Sequence, residues 1–268
     1  MKSDDKIAEA EVVEEKPTVE TETAVVPAGG NSVDFADDDN VGMDEIILPR
    51  LNIVQKVGPL SEEYVSGEVV LNKELVIYEP AKKDKKAESL QITVLGFRPT
   101  QWTERIAGGA LGRLCKTEAD VVACGGTTDY KRWEASAKAA KEDRGEEIPY
   151  FQPLATCLVL IQKPEGLEET YFPYDFGGEQ YAIAQWSMKG GAFTNGAKVI
   201  KTARKIGHLR RGGYVSYEYL LDTKFKAYGE GHGAIIPVLR PGRKHTAEFV
   251  EFAREILGGG GEDESGSI

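Results

Sequence analysis

Residues 214–229 read YVSYEYLLDTKFKAYG, and residues 232–242 read HGAIIPVLRPG. In the first stretch Tyr217 and Tyr219 fall on one side of an extended chain and Leu220 on the other, the period of two that marks a strand. The second stretch, rich in Ile and Val and closed by Pro-Gly, is the last strand of the chain. Two such runs in succession point to a chain built largely on β-structure.

The same pattern recurs upstream. SLQITVLGFRPTQW (89–102) alternates Leu90, Ile92 and Val94 and reads as a strand. ATCLVLIQ (155–162) and ETYFPYDFG (169–177) read as a strand pair around the KPEGLE turn. YVSGEVVLNKELVIY (64–78) carries β-rich runs with Asn72 near a turn, and DEIILPRLNIVQ (44–55) opens the folded part as an extended segment. EPAKKDKKAES (79–89) is a charged hairpin tip. Three helices are expected. YKRWEASAKAAKEDRG (130–145) is amphipathic and closed by Gly145. QYAIAQWSMKGGAFTNGAKVIKTARKIG (180–207) reads as a helix weakened by Gly190, Gly191 and Gly196. TAEFVEFAREILGG (246–259) is N-capped by Thr246 and stopped by Gly258. The order fits a mainly β, α+β fold. The expectation is an OB-like Greek-key barrel with a helical insertion at about 103–153, a C-terminal helix and disordered acidic ends.

Charge is distributed unevenly. Residues 1–46 hold fourteen Asp/Glu and three Lys, and 257–268 hold three acids, so a chain of net charge −11 keeps +3 for residues 47–256. Residues 1–43, nearly free of aromatics, cannot bury enough surface to offset ordering entropy and form a disordered acidic arm. Residues 44–257 form the folded domain. GGGGEDESGSI (258–268) is a flexible acidic tail. Mean hydropathy of −0.36 and the lack of a long apolar run argue against a membrane partner. The N-terminus has no apolar signal core, which points to a cytoplasmic protein. An acidic pair of ends around a mildly basic middle points to an anionic partner.

Signatures of catalysis are scarce. No Walker loop, GxGxxG after a strand, HExxH or GxSxG occurs, and no cofactor is implied. His208, His232 and His245 are scattered among basic or glycine residues. Eight residues separate Cys115 and Cys124, without CxxC spacing, and Cys157 lies on an expected strand, so reduced thiols are expected and no metal site. Asp175, Glu218 and Asp222 would have to converge to hold a catalytic cation, and their spacing does not favour it. The expectation is a protein that is not an enzyme.

The stretch 189–214, KGGAFTNGAKVIKTARKIGHLRRGGY, holds seven Lys or Arg and no Asp or Glu in 26 positions. The cations are Lys189, Lys198, Lys201, Arg204, Lys205, Arg210 and Arg211, and Lys224 and Lys226 follow. Lys198, Lys201 and Lys205 recur at three and four residues and share one helical face. Trp186, Phe193, Tyr214, Tyr217 and Tyr219 interleave with the charge, and Trp102 and Trp133 add rings from the insertion. Lys and Arg neutralising phosphates beside aromatic faces for bases is the physical recipe for binding single-stranded nucleic acid.

The layout resembles bacteriophage single-stranded DNA-binding proteins: an OB-type core, a basic-aromatic groove and the acidic tail GGGGEDESGSI. LPRLNIVQ and the block QWSMKGGAFTNGAKVIKTARKIG…Y…YLLDTKFKAYG resemble phage replication-module proteins. The resemblance implies sequence-nonspecific binding of single-stranded DNA in phage replication or recombination, in the host cytoplasm. It also implies a tail that competes with DNA or docks replication or recombination proteins. The tail departs from that pattern in ending Ser-Gly-Ser-Ile without a terminal aromatic, and the N-terminal arm is additional. Two other readings remain open on sequence: a phage structural or assembly protein whose basic block meets an acidic protein surface, and a DNA-processing enzyme. The sequence leaves the oligomeric state, a possible oligomer included, undecided.

Overall fold

A computed structural model describes residues 47–81, 87–106, 111–167, 170–229 and 232–257. The expected acidic arm, the acidic tail and the centre of the charged tip at 79–89 lie outside the described residues.

Among the described residues the chain forms one eleven-stranded sheet and a few helices. The strands are β1 (Arg50–Ile53), β2 (Val69–Leu71), β3 (Leu75–Tyr78), β4 (Leu90–Phe97), β5 (Gln101–Arg105), β6 (Leu111–Cys115), β7 (Phe151–Gln162), β8 (Tyr174–Phe176), β9 (Glu179–Lys189), β10 (Tyr217–Gly229) and β11 (His232–Lys244). The main path runs β11-β10-β4-β7-β9-β1-β2-β3. It is antiparallel throughout except where β1 lies parallel to β9. Asn72 and Lys73 turn β2 into β3 with φ of 52° and 64°, and Glu74 N–H closes the turn on the Leu71 carbonyl at 3.1 Å.

The sheet curls into a half-barrel, and side chains join its two ends. The Gln55 carboxamide imitates a strand: its Oε1 accepts from Ile235 N–H at 3.0 Å and its Nε2 donates to the Ile235 carbonyl at 3.1 Å. Thr223 N–H donates to the Tyr78 hydroxyl at 3.3 Å, and Thr223 Oγ1 donates to the Gly67 carbonyl at 2.6 Å.

Strand alternation sorts the apolar residues onto two faces. Ile92 and Val94 of β4, Cys157, Val159 and Ile161 of β7, Ala182, Ala184, Trp186 and Met188 of β9, and Tyr219 and Leu221 of β10 fill the main core. Leu95, Leu160, Tyr181 and Ile183 face the other way. There helix α5 (Ala247–Ile256) covers them with Phe249 and Ala253. Thr246 caps α5 as expected, its Oγ1 accepting from Phe249 N–H at 3.3 Å. The region 103–153 holds the outer part of the β5–β6 hairpin, a short helix α1 (Glu118–Ala123) and helix α2 (Tyr130–Lys141), capped by Asp129.

One element differs from its expectation. Residues 180–189 do not begin a helix; they are β9, a central strand between β7 and β1. Helix starts only at α3 (Gly190–Ala192), continues through a π turn at Phe193–Ala197 and runs on as α4 (Lys198–Ile206). Tyr181 and Ile183 are buried on one face of β9, and Ala182, Ala184, Trp186 and Met188 on the other. A strand covered on both faces has no polar alternation to declare it, and its alanines favour a helical reading. The expected pair of 155–162 with 169–177 also differs: β8 pairs with β9 and not with β7.

Candidate nucleic-acid interface

Gly190, with φ of +53°, turns β9 into the helical segment. The π turn lets that segment lie close on the sheet, where a Cβ at Gly196 would come 2.6 Å from Met188 Sδ and 3.3 Å from Pro237. Ala197 and Ile200 enter the main core and Ala203 packs against it, so the opposite side of α4 faces outward. Lys198 and Lys205 are exposed and Lys201 is half-buried on its edge. The loop that follows is pinned by buried Leu209 and leaves Arg210 and Arg211 exposed.

Helix α4 meets the turn after β4 and the residue that opens the next 3₁₀ turn, Tyr214. Phe97 and Tyr214 form a tilted ring pair with centroids 5.4 Å apart. Lys201 Nζ sits 4.9 Å from the Phe97 centroid and donates to Thr100 Oγ1 at 2.6 Å. Arg204 holds its guanidinium carbon 5.9 Å from the Tyr214 centroid and donates from Nη1 to the Arg210 carbonyl at 3.1 Å. Burial lowers the Lys201 pKa below the usual lysine value and raises that of Tyr214. Each of the two cations lies beside a ring, and neither enters an ion pair among the described residues.

Ion pairs elsewhere among the described residues include Arg113–Glu104 at 2.7 Å, Arg240–Asp222 at 2.7 Å, Arg243–Glu218 at 3.1 Å, and Arg144 with Glu142. Among these residues Lys198, Lys201, Arg204, Lys205, Arg210, Arg211, Lys224 and Lys226 enter no ion pair. Clustered unpaired cations repel one another, and the repulsion falls when an anion binds.

A second cation–aromatic group lies at the far end of the β10–β11 hairpin. Lys56 Nζ stands 3.7 Å over the Phe225 ring and Lys226 Nζ 5.5 Å from that of Tyr228. Phe225 and Tyr228 are about half exposed, and Lys224 is exposed. A Cβ at Gly191 would come 2.6 Å from the Tyr228 hydroxyl, so the hairpin touches the start of the helical segment. From Gly191 to Arg204 the helical rise is about 20 Å.

The residues singled out on sequence thus divide. Lys198, Lys201, Arg204, Lys205, Arg210, Arg211 and Tyr214 gather around α4 and its following loop, and Lys224 and Lys226 lie on the hairpin. Trp186 and Tyr219 are 2% and 1% exposed, deep in the main core, and offer no face to a ligand. Tyr217 and Tyr219 do share a strand face, but it is the core face; Tyr217 is half-buried with its ring 4.9 Å from that of His208. Phe193 packs half-buried against the core, and Lys189 is half-buried with its pKa lowered by burial. Trp102 packs beside Cys115, Val121 and Phe151. Trp133 clusters with Tyr130 and Tyr150 and donates from Nε1 to Glu147 at 2.8 Å. Sequence reasoning missed Phe97, Thr100 and Lys56. The FRPT run (97–100) at the end of the strand expected over 89–102 is the signal from which the first two could have been found.

Among the described residues no group of three or more His, Cys, Asp or Glu is placed to hold a metal ion, and no helix is long and apolar enough to cross a membrane. No protein-family model matches the chain, and no curated protein or solved structure matches it either.

Proposed function

We propose that this protein binds single-stranded DNA without sequence preference, as a non-catalytic component of phage DNA replication or recombination. The observation that carries the reading is the set of cations around α4. They are unpaired with carboxylates, and two of them rest on the Phe97–Tyr214 rings. Lys198, Lys205, Arg210 and Arg211 would neutralise phosphates. Lys201 and Arg204 would do so at the edge of the half-buried ring pair, and the part of those rings left outside the core would be the surface for a base. The hairpin group with Lys226 and Tyr228 extends the path, so a strand following the helical segment would cover about 20 Å. An OB-type use of the curled sheet belongs to the same proposal. So do a cytoplasmic setting and partner proteins recruited by the acidic tail.

The test is fluorescence anisotropy of a labelled oligothymidylate with wild-type protein and with Lys201→Gln/Arg204→Gln. Wild-type binding that the double variant weakens at least tenfold, with an unchanged melting temperature, supports the proposal. Wild-type binding that the double variant leaves unchanged moves the interface elsewhere. The absence of wild-type binding at low salt overturns it and leaves the basic surface to an acidic protein partner.

A further inference from the structure

A different pair of side chains lies outside this surface, in the small core formed by β5, β6, α1 and the start of β7. Cys115 ends β6 and Cys124 caps the C-terminus of α1, and their Sγ atoms are 3.8 Å apart. Both are free thiols. They are neighbours because α1 is rigidly placed. Thr117 Oγ1 accepts from Asp120 N–H at 3.1 Å, and Asp120 accepts from Thr117 N–H at 2.9 Å, a reciprocal cap that fixes the helix directly after β6. Val121 is fully buried beside Cys115, and Phe151 packs on both. Cys124 packs half-buried against the same core, and its thiol donates to the Val121 carbonyl at 3.2 Å. Gly125, the next residue, has open space around it.

We propose that Cys115 and Cys124 are a dithiol site that a low-molecular-weight disulfide converts to an intramolecular disulfide within the folded protein. Closing the sulfurs from 3.8 Å to the bonded length of about 2.05 Å needs a movement of less than about 2 Å. Side-chain rotation and the open turn at Gly125 supply it. Cys124 is the more exposed of the two, Cys115 being 9% exposed, so Cys124 is the attacking thiol. Its thiolate attacks the reagent disulfide, forming a mixed disulfide and releasing one thiolate. The Cys115 thiolate then attacks Cys124 Sγ and expels the second. The two protons lost from the protein thiols end on the two released thiolates, and the two electrons reduce the reagent. The bond ties the end of β6 to the end of α1. Cys157 serves as an internal control: it is wholly buried on β7, and burial pushes its thiol pKa up.

The site is read by treating the folded full-length chain with oxidised glutathione, blocking residual thiols, and mapping tryptic peptides by mass. Lys116 lies between the two cysteines, so trypsin separates Leu114–Lys116 from Thr117–Lys131, and only a disulfide keeps them joined. The expected result is the joined pair, smaller by two hydrogen masses than its reduced parts, with Cys157 unmodified. Cys115→Ser should instead hold one glutathione on Cys124, and Cys124→Ser should leave Cys115 unmodified. Folded wild-type protein that keeps both thiols free in excess reagent overturns the proposal. So does a joined pair that forms only after the chain is unfolded.

Discussion

Replacing Tyr219 by Phe should stabilise the protein. Tyr219 is 1% exposed, and its hydroxyl has no hydrogen-bond partner among the described residues. Burial also pushes its pKa up to about 12, as expected of a phenol with nothing to favour its charged form. Its ring, with Leu221, fills the main core. Tyr219→Phe keeps that ring and removes only the orphaned oxygen. A buried polar group left without a partner costs about 1–3 kcal/mol, and an apolar group of the same shape avoids that cost. For a folded region of this size each kcal/mol moves the melting temperature by roughly 2–4 °C. The assay is thermal unfolding by circular dichroism, with Tyr217→Phe, a half-buried neighbour, as the control expected to change little. DNA affinity should stay the same, because Tyr219 presents no surface to a ligand. A melting temperature that falls would show that the hydroxyl is satisfied and refute the reasoning. A large loss of affinity would refute the placement of Tyr219 in the core.

Three further outcomes are expected. His245 stacks on Phe249 with ring centroids 3.8 Å apart and bonds Thr93 Oγ1 through Nε2 at 2.8 Å, while burial, aided by Arg243, lowers its pKa from 6.5 to about 4. A depressed pKa means that the unfolded chain takes the proton first, so this contribution is complete above pH 6.5 and is lost as pH falls toward 4. The urea midpoint of wild type should therefore drop more than that of His245→Gln between pH 7 and pH 5, and equal drops would contradict the assignment. Gly196→Val should cost about 1–3 kcal/mol by overpacking against Met188 and Pro237. It should also weaken DNA binding by displacing α4, and a neutral melting curve would show the contact to be loose. Lys226→Ala/Tyr228→Ala should weaken binding of a long oligothymidylate and not of a short one, tested at the two ends of the roughly 4–16-nucleotide range. Equal effects on both lengths would place the hairpin at the centre of the site.

Much of the sheet was legible because half-buried strands announce themselves. Leu90, Ile92 and Val94 alternate toward one core, and β4 lies where that period placed it. The Asn72 turn, α2 and the Thr246 cap were readable from local chemistry alone. Strand β9 was not, because neighbours on both sides and cores on both faces removed the polar alternation that separates strand from helix. The basic face of α4 could be read from its spacing, since exposure leaves such a pattern intact. The aromatic half of the interface could not. Which ring faces a ligand depends on strand parity and on contacts between residues about a hundred positions apart, as between Lys201 and Thr100. Trp186 and Tyr219 have the composition of stacking residues and the parity of core residues, and parity decides.

The salt dependence of oligothymidylate binding tests the central claim most directly. If Lys198, Lys201, Arg204, Lys205, Arg210 and Arg211 each displace one counterion, log K should fall with log salt at a slope of about −4. That is about a 300-fold loss between roughly 50 and 200 mM salt. A slope near that value, reduced by about 0.7 for each of these cations replaced by Gln, is the result expected. Binding that is insensitive to salt, or no binding at the lowest salt, would contradict a phosphate-neutralising interface on α4.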